Sequence, residues 1–238
     1  MKLAVLSGII SFVGWASYSS VSCAAGLQMY PVTVNFCHGE TARPVYIKNT
    51  GTSPIGTQMR LYSWQQKNQK DVLTPTQTLI SSPPIASVPP GKQQLVRIIS
   101  PAGTAGAEQS FRLIVDELPA EPDKTTASQV RFLLRYSVPV FFSCRDSKAD
   151  ISAIRASLET RGSRTRLLIK NRGMYHIKLS NVSLLTAGKK VVISRGLLGY
   201  VLPQSEMAWN LPEGIRSGTA LSVTINDNET DKTINLTN

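Results

Sequence analysis

Apolar and polar positions alternate in short runs along most of this chain, and the longest run is Val130 to Phe142. One parity carries Val130, Phe132, Leu134, Tyr136, Val138, Val140 and Phe142; the other carries Arg131, Leu133, Arg135, Ser137, Pro139 and Phe141. Alternate side chains of a β-strand share a face, so the first set forms one continuous apolar face. Pro139 lacks a ladder donor, which suits a sheet edge. A long apolar edge is an aggregation hazard. Such a strand is either covered by its own protein or exists to pair with another chain, and pairing is the expectation here.

The rest of the chain shows no sustained helical spacing of apolar residues. Short β-type runs recur instead, broken by Gly, Pro, Asn and Ser. Before the long run, strands are expected over Leu27–Phe36 (an edge strand, because of Pro31), Arg43–Asn49, Ile55–Trp64, Leu73–Ile80, Lys92–Ser100 and Ser110–Leu118. Gln65–Asp71 reads as a polar loop or hairpin. The proline-rich stretch Ser81–Gly91 reads as an extended connection, since its prolines remove backbone donors. With Val130–Phe142 as the seventh strand, this is the pattern of an immunoglobulin-like sandwich. After a polar linker, Cys144–Asp150, weaker strands are expected over Ile151–Glu159, Arg164–Asn171, Tyr175–Thr186, Lys190–Ser194, Glu206–Trp209, Ala220–Asn226 and Thr230–Leu236. The fold class is therefore all-β, with two immunoglobulin-like β-sandwich domains in tandem, 26–143 and a smaller 144–238. The 238 residues suffice for two cores.

The N-terminus changes this picture. Lys2 is the only charge before Glu40, and the apolar run Leu3–Val13 is followed by Ser22-Cys23-Ala24-Ala25. Residues 1–25 read as a secretory signal. The run is short for an anchor helix, and a lipoprotein reading through Cys23 lacks the usual Leu where Ser20 stands, so no stable membrane insertion is expected. Export would leave Cys37 and Cys144 in an oxidising compartment, where they are a candidate disulfide or two free thiols. The formal charge is +11, falling to +10 without Lys2. Export and the scatter of the basic residues argue against nucleic acid.

Catalytic chemistry is not visible. The chain has two histidines, His38 and His176, in different expected domains. It carries no nucleophile elbow, phosphate loop, His-Glu-x-x-His or Cys-x-x-Cys. His38 beside Cys37 is not a metal ligand set, so no catalytic residue, metal or cofactor is expected.

Several segments stand in a telling order: Tyr30-Pro31-Val32-Thr33-Val34, Val45-Tyr46-Ile47-Lys48-Asn49, Pro83-Pro84 with Pro90-Gly91 and Val96-Arg97-Ile98, and Phe111-Arg112-Leu113-Ile114-Val115-Asp116-Glu117-Leu118-Pro119. In the second domain Asn171 and Gly199-Tyr200-Val201-Leu202-Pro203 follow. In this order they resemble the landmarks of the periplasmic chaperones of the chaperone–usher pilus pathway. The resemblance implies a chaperone that stabilises pilus or fimbrial subunits by donor-strand complementation and delivers them to an outer-membrane usher. Val130, Phe132, Leu134 and Tyr136 would be the side chains donated to the subunit; the alternative is that they fill this domain's own core. Most members hold the subunit's terminal carboxylate with an Arg on the first strand and a Lys on the seventh. Those positions carry Thr33 and Pro139 here, which resembles the divergent, archaic branch. Another cation must then hold the carboxylate, since a buried anion without a partner is costly. Arg97 is the first candidate, with Arg135 and Arg112 as alternatives, and each reads equally well as a surface cation. The competing functional class is a secreted two-domain structural or adhesive protein.

Overall fold

The computed structural model describes residues 26–37, 39–101, 107–119, 132–143, 149–186, 189–227 and 230–237. The signal-like segment, His38, Val130, Arg131 and Cys144 lie outside the described residues. The first half contains β1 (Leu27–Tyr30), β2 (Val34–Asn35), β3 (Ala42–Asn49), β4 (Ile55–Lys67), β5 (Lys70–Pro75), β6 (Ile80–Ser82), β7 (Ile85–Val88), β8 (Gln93–Ile99), β9 (Ser110–Glu117) and β10 (Arg135–Phe141). These make two facing sheets, β1-β3-β8-β6 and β2-β10-β9-β4-β5, with β7 also on β4. Leu27, Val45, Ile47, Met59, Val96, Ile98, Leu113, Val115 and Val140 fill the space between them.

The sequence pattern explains which face is buried. Along β4, Ile55, Thr57, Met59 and Leu61 point inward, while Gln58, Arg60 and Tyr62 alternate outward. Trp64 has the outward parity yet is only 2% exposed, because the second domain covers it. The expected first strand is broken at Pro31: β1 pairs with β3 in one sheet, and β2 pairs with β10 in the other. Gln65–Asp71 is a hairpin between β4 and β5. Its two turn residues, Asn68 and Gln69, both have positive φ, as a tight two-residue hairpin requires. The expected Leu73–Ile80 strand and proline-rich connection resolve differently, into β5, β6 and β7. The cis Ser82–Pro83 bond lies between β6 and β7, which pair with β8 and β4 in opposite sheets.

The second half contains a short 3₁₀ turn at Ile151–Ala153, then β11 (Ile154–Arg161), β12 (Arg164–Asn171), β13 (Ile177–Thr186), β14 (Lys189–Val192), β15 (Leu197–Val201), β16 (Ser205–Asn210), β17 (Ala220–Ile225) and β18 (Lys232–Asn235). A β11-β12-β16 sheet faces a β14-β13-β17-β18 sheet, with β15 also on β13. The core is Leu167, Ile169, Leu179, Val182, Leu184, Val201, Leu221, Val223 and Ile225. β15 was hidden in the sequence by its glycine. Gly199 packs under Trp209, so close that an added Cβ would lie 2.9 Å from the indole ring.

Both domains use one buried device. Asn49 and Asn171 end equivalent strands and accept from the backbone N–H of Gly51 and Gly173, two residues on. Each also donates to distant carbonyls, Asn49 to Val88 and Asn171 to Val201. The Asn-x-Gly turns at both places are therefore tied into the cores they border.

Candidate functional site

Two features stand out at the boundary between the domains and along β10. The first is an incomplete sheet edge. On one side β10 pairs with β9 along its whole length, Arg135 opposite Asp116 to Phe141 opposite Ser110. On the other side, among the described residues, it meets β2 at Val140 and Phe141 alone. Glu117 donates its N–H to the carbonyl of Leu134, and Phe142 donates to that of Gln109. Even-numbered residues of β10 thus bond inward to β9, and odd-numbered ones present N–H and C=O to the open side, by the alternation of an antiparallel ladder. The bond from Phe36 N–H to Phe141 C=O, 2.8 Å, confirms this parity at the one end where β2 reaches it. Arg135 and Ser137 offer both groups outward; the Pro139 carbonyl already faces β2, whose parallel register sets Val34 opposite Val140. The missing proline donor falls on the side away from β9.

The strand expected from Val130 begins only at Arg135, and the side chains of β10 and of the residues flanking it divide along the chain. Val138, Val140 and Phe142 are buried in the domain's own core. Leu134 and Tyr136 are half-buried against that core, and the Tyr136 hydroxyl donates to the carbonyl of Leu27 at 2.6 Å. Phe132, on the same parity, is 78% exposed, and neighbouring Leu133 is 44% exposed. A benzyl side chain left this open is a large apolar surface without cover.

The second feature is a cleft between the domains, about 810 Å³, lined from the first domain by the β1–β2 segment, Arg43, Pro44, Tyr46 and Glu108, and from the second by Tyr175, His176, Lys178 and Tyr200. Arg43 has the inward parity of β3, shared with Val45 and Ile47, at the end of the sandwich. It pairs with Glu40 at 2.8 Å, yet its Nε is buried without a hydrogen-bond partner among the described residues. Asn35 Oδ1, also on the cleft wall, is in the same state. Lys178 is occupied by Asp227, at 2.7 Å. Thr33 lies on the wall, and Pro139 is buried.

The cleft floor holds the domains together. His176 lies flat on Phe141, ring centroids 3.4 Å apart. Its backbone N–H and Nδ1 both face the fully buried Glu108 carboxylate, at 2.8 and 2.9 Å. Trp64 and Phe141 of the first domain pack with Tyr200 and Leu202 of the second. The Gln66 amide closes the contact, donating to the Tyr200 carbonyl and accepting from Leu202 N–H.

Family models match both halves: residues 26–146 match the pili and flagellar-assembly chaperone PapD N-terminal domain, and 151–228 match the pili assembly chaperone PapD C-terminal domain. The chain belongs to the PapD-type pilus assembly chaperones. Solved structures of similar fold include the chaperone in a CsuC–CsuE chaperone–tip adhesion subunit pre-assembly complex from archaic Csu pili of Acinetobacter baumannii. That match has 24% identity, covers 89% of this chain and 98% of the other, and has a TM-score of 0.67. The YadV chaperone is similar at 18% identity, 89% and 100% coverage and a TM-score of 0.63. The CupB2 chaperone of Pseudomonas aeruginosa is similar at 17% identity, 88% and 100% coverage and a TM-score of 0.60. No curated protein sequence matches the chain.

The three arginines singled out in the sequence of this chaperone occupy different places, and none lines the cleft. Arg112, on the outer face of β9, lies over the Trp64 ring at 3.7 Å and within 5.4 Å of Tyr200. Burial lowers its pKa, against the opposing pull of Asp71 and Tyr200. Arg135 is bonded to Asp116. Arg97 is exposed on the outer face of β8, opposite Pro44 of the cleft wall. Sequence reasoning missed Arg43. The signal was present: an arginine on the parity of Val45 and Ile47 is a cation where an apolar residue belongs.

Proposed function

We propose that this chaperone works in the periplasm, complementing an incomplete pilus or fimbrial subunit with the exposed edge of β10 and the segment that leads into it. The observation that carries the proposal is the one-sided ladder of β10, with Arg135 and Ser137 presenting backbone groups that no described strand pairs, beside an exposed Phe132. An edge of this kind adds a strand from a partner: backbone hydrogen bonds provide affinity, and alternate side chains fill pockets. Val130, Phe132 and Leu134 are the proposed plugs. Tyr136 contributes less, because its hydroxyl is bound to Leu27. Each large apolar side chain transferred to a subunit groove contributes roughly 1.5–3 kcal/mol, before the cost of association. Structures of similar fold in which a chaperone is held with a tip adhesion subunit or a pilin support this reading. Delivery would be to an outer-membrane usher, and residues 1–25 would direct export.

The subunit's terminal carboxylate is proposed to enter the cleft and meet Arg43. A carboxylate would satisfy the orphaned Nε by a charge-assisted bond and relieve a buried donor that costs about 1–3 kcal/mol when left alone. Arg97, across β8 from Pro44, is the nearest of the other candidates by register. Cys37 and Cys144 are proposed to be bridged. Extending the parallel β2–β10 register brings Cys37 opposite Ser143, one residue from Cys144, and alkylation without reductant should then label neither cysteine.

The test is co-expression of Phe132→Asp and Leu134→Asp variants with a fimbrial subunit. Both variants should stay folded while the soluble one-to-one complex is lost. Retention of the complex by both folded variants would sink the donor-strand reading, and a wild-type chain that forms no complex would favour a secreted adhesive protein.

A further inference from the structure

The outer face of the β4-β9-β10 sheet carries a charge cluster at the end remote from the second domain. Asp116 of β9 bonds to Arg60 of β4 and to Arg135, the first residue of β10. Its side chain is 14% exposed, against 42% for Arg60 and 65% for Arg135. Burial pushes the Asp116 carboxyl up, but the hydrogen bonds and charges of Arg135 and Arg60 outweigh it and leave the group below the ordinary carboxylate range. Next to this cluster, the Leu134 N–H is bound by the Glu117 carboxylate at 3.2 Å. Beyond that bond Leu133 and Phe132 are exposed. Two adjacent acidic residues thus hold the point at which β10 begins.

We infer that Asp116 is a positioning residue that fixes the register in which the donor strand is presented, with Arg60 and Arg135 as its partners and Glu117 holding the backbone beside it. The inference rests on the donor-strand reading above. A strand repeats every two residues, so a slip of one residue turns every side chain to the opposite face. Toward Val140 the register is fixed by β2, by the β9 ladder and by buried core residues; the end at Arg135 lacks both β2 and a buried side chain among the described residues, and the exposed segment before it could slip there. Asp116 removes the ambiguity at that end. It grips the side chain of Arg135 on the outer face and so forces Leu134 and Phe132 onto the opposite parity. Glu117 takes the inward-facing N–H of Leu134, so the ladder ends there and the preceding segment leaves the sheet on a set parity. Arg60 ties the cluster to the long central strand, so the grip is on the body of the sandwich rather than on a loop.

Amide hydrogen exchange of the intact chaperone, followed by capture of a co-expressed fimbrial subunit, tests the inference. The Tyr136 N–H is the first inward bond to β9 after the clamp. In Asp116→Asn and in Arg135→Gln it should exchange roughly tenfold faster, the loss of one charge-assisted hydrogen bond. Val138 and Val140 should stay protected, and Asp116→Glu should restore most of the protection. Subunit capture should fall in the same order as Tyr136 protection across the variants. Unchanged exchange at Tyr136 overturns the clamp whatever the subunit does. Faster exchange with full capture also overturns it, leaving the donor-strand reading intact. A wild-type chain that captures no subunit overturns the donor-strand reading first, before any variant is compared.

Discussion

At the scale of single residues, the informative ones break the parity of their strands. Arg43 sits where β3 otherwise turns aliphatic side chains inward, and Trp64 sits where β4 otherwise faces water. Each departure marks a surface that the isolated sandwich does not explain. Trp64 is covered by the second domain. Arg43 faces the cleft with a donor unsatisfied among the described residues. Replacing it separates its proposed role from a structural one. Arg43→Ala removes the pair with Glu40, which at this exposure is worth less than about 1 kcal/mol, so the melting temperature should shift little. Capture of a subunit should weaken by roughly tenfold to a hundredfold, the worth of a hydrogen bond to a charged group, and a subunit with an amidated C-terminus should be indifferent to the change. Equal loss for carboxylate and amide would remove Arg43 from the anchor.

At the scale of elements, β10 combines two tasks along one parity. Val138, Val140 and Phe142 belong to the domain's own core, while Phe132 is left to solvent. The same substitution should therefore give opposite phenotypes at the two ends. Val140→Asp buries a charge in a fully buried site and should leave little folded protein, whereas Phe132→Asp should melt within a few degrees of wild type, as surface changes do; thermal melts of both variants check this directly. Much of this strand was legible in advance, because seven apolar residues on one parity and one proline are strong signals. The division of labour was not, because hydrophobicity alone cannot distinguish a side chain that meets its own core from one awaiting a partner's. The split of the first strand at Pro31 left a signal that went unread: the buried parity switches there, from Leu27 and Met29 to Val34 and Phe36, and the two halves belong to opposite sheets. β15 escaped because Gly199 interrupts the pattern of a strand, and its reason for being glycine is the distant Trp209.

At the scale of the whole molecule, the open edge and the cleft are coupled through one residue. Phe141 ends β10, stacks on His176, and packs with Trp64 and Tyr200 in the junction. The domains are thus joined by an aromatic cluster, the Arg112 cation over its Trp64 ring, a buried carboxylate–imidazole contact and two hydrogen bonds of the Gln66 amide. This is more than a flexible tether, and it holds both cleft walls in place. Tyr200→Ala should loosen it: the two domains should unfold in separate calorimetric transitions where the wild type gives one, and the radius of gyration should rise in solution scattering. A single unchanged transition would show that the aromatic cluster does not couple the domains.

The central claim is that the outer edge of β10 is empty in the free chaperone and filled in the complex. Residue-resolved hydrogen exchange on the two states measures this most directly. The account predicts that the outward N–H groups of Arg135 and Ser137 exchange rapidly in the free protein and become protected on subunit capture, while the inward N–H groups of Val138 and Val140 are protected in both states. Rapid exchange at Arg135 and Ser137 in a stable complex would contradict it.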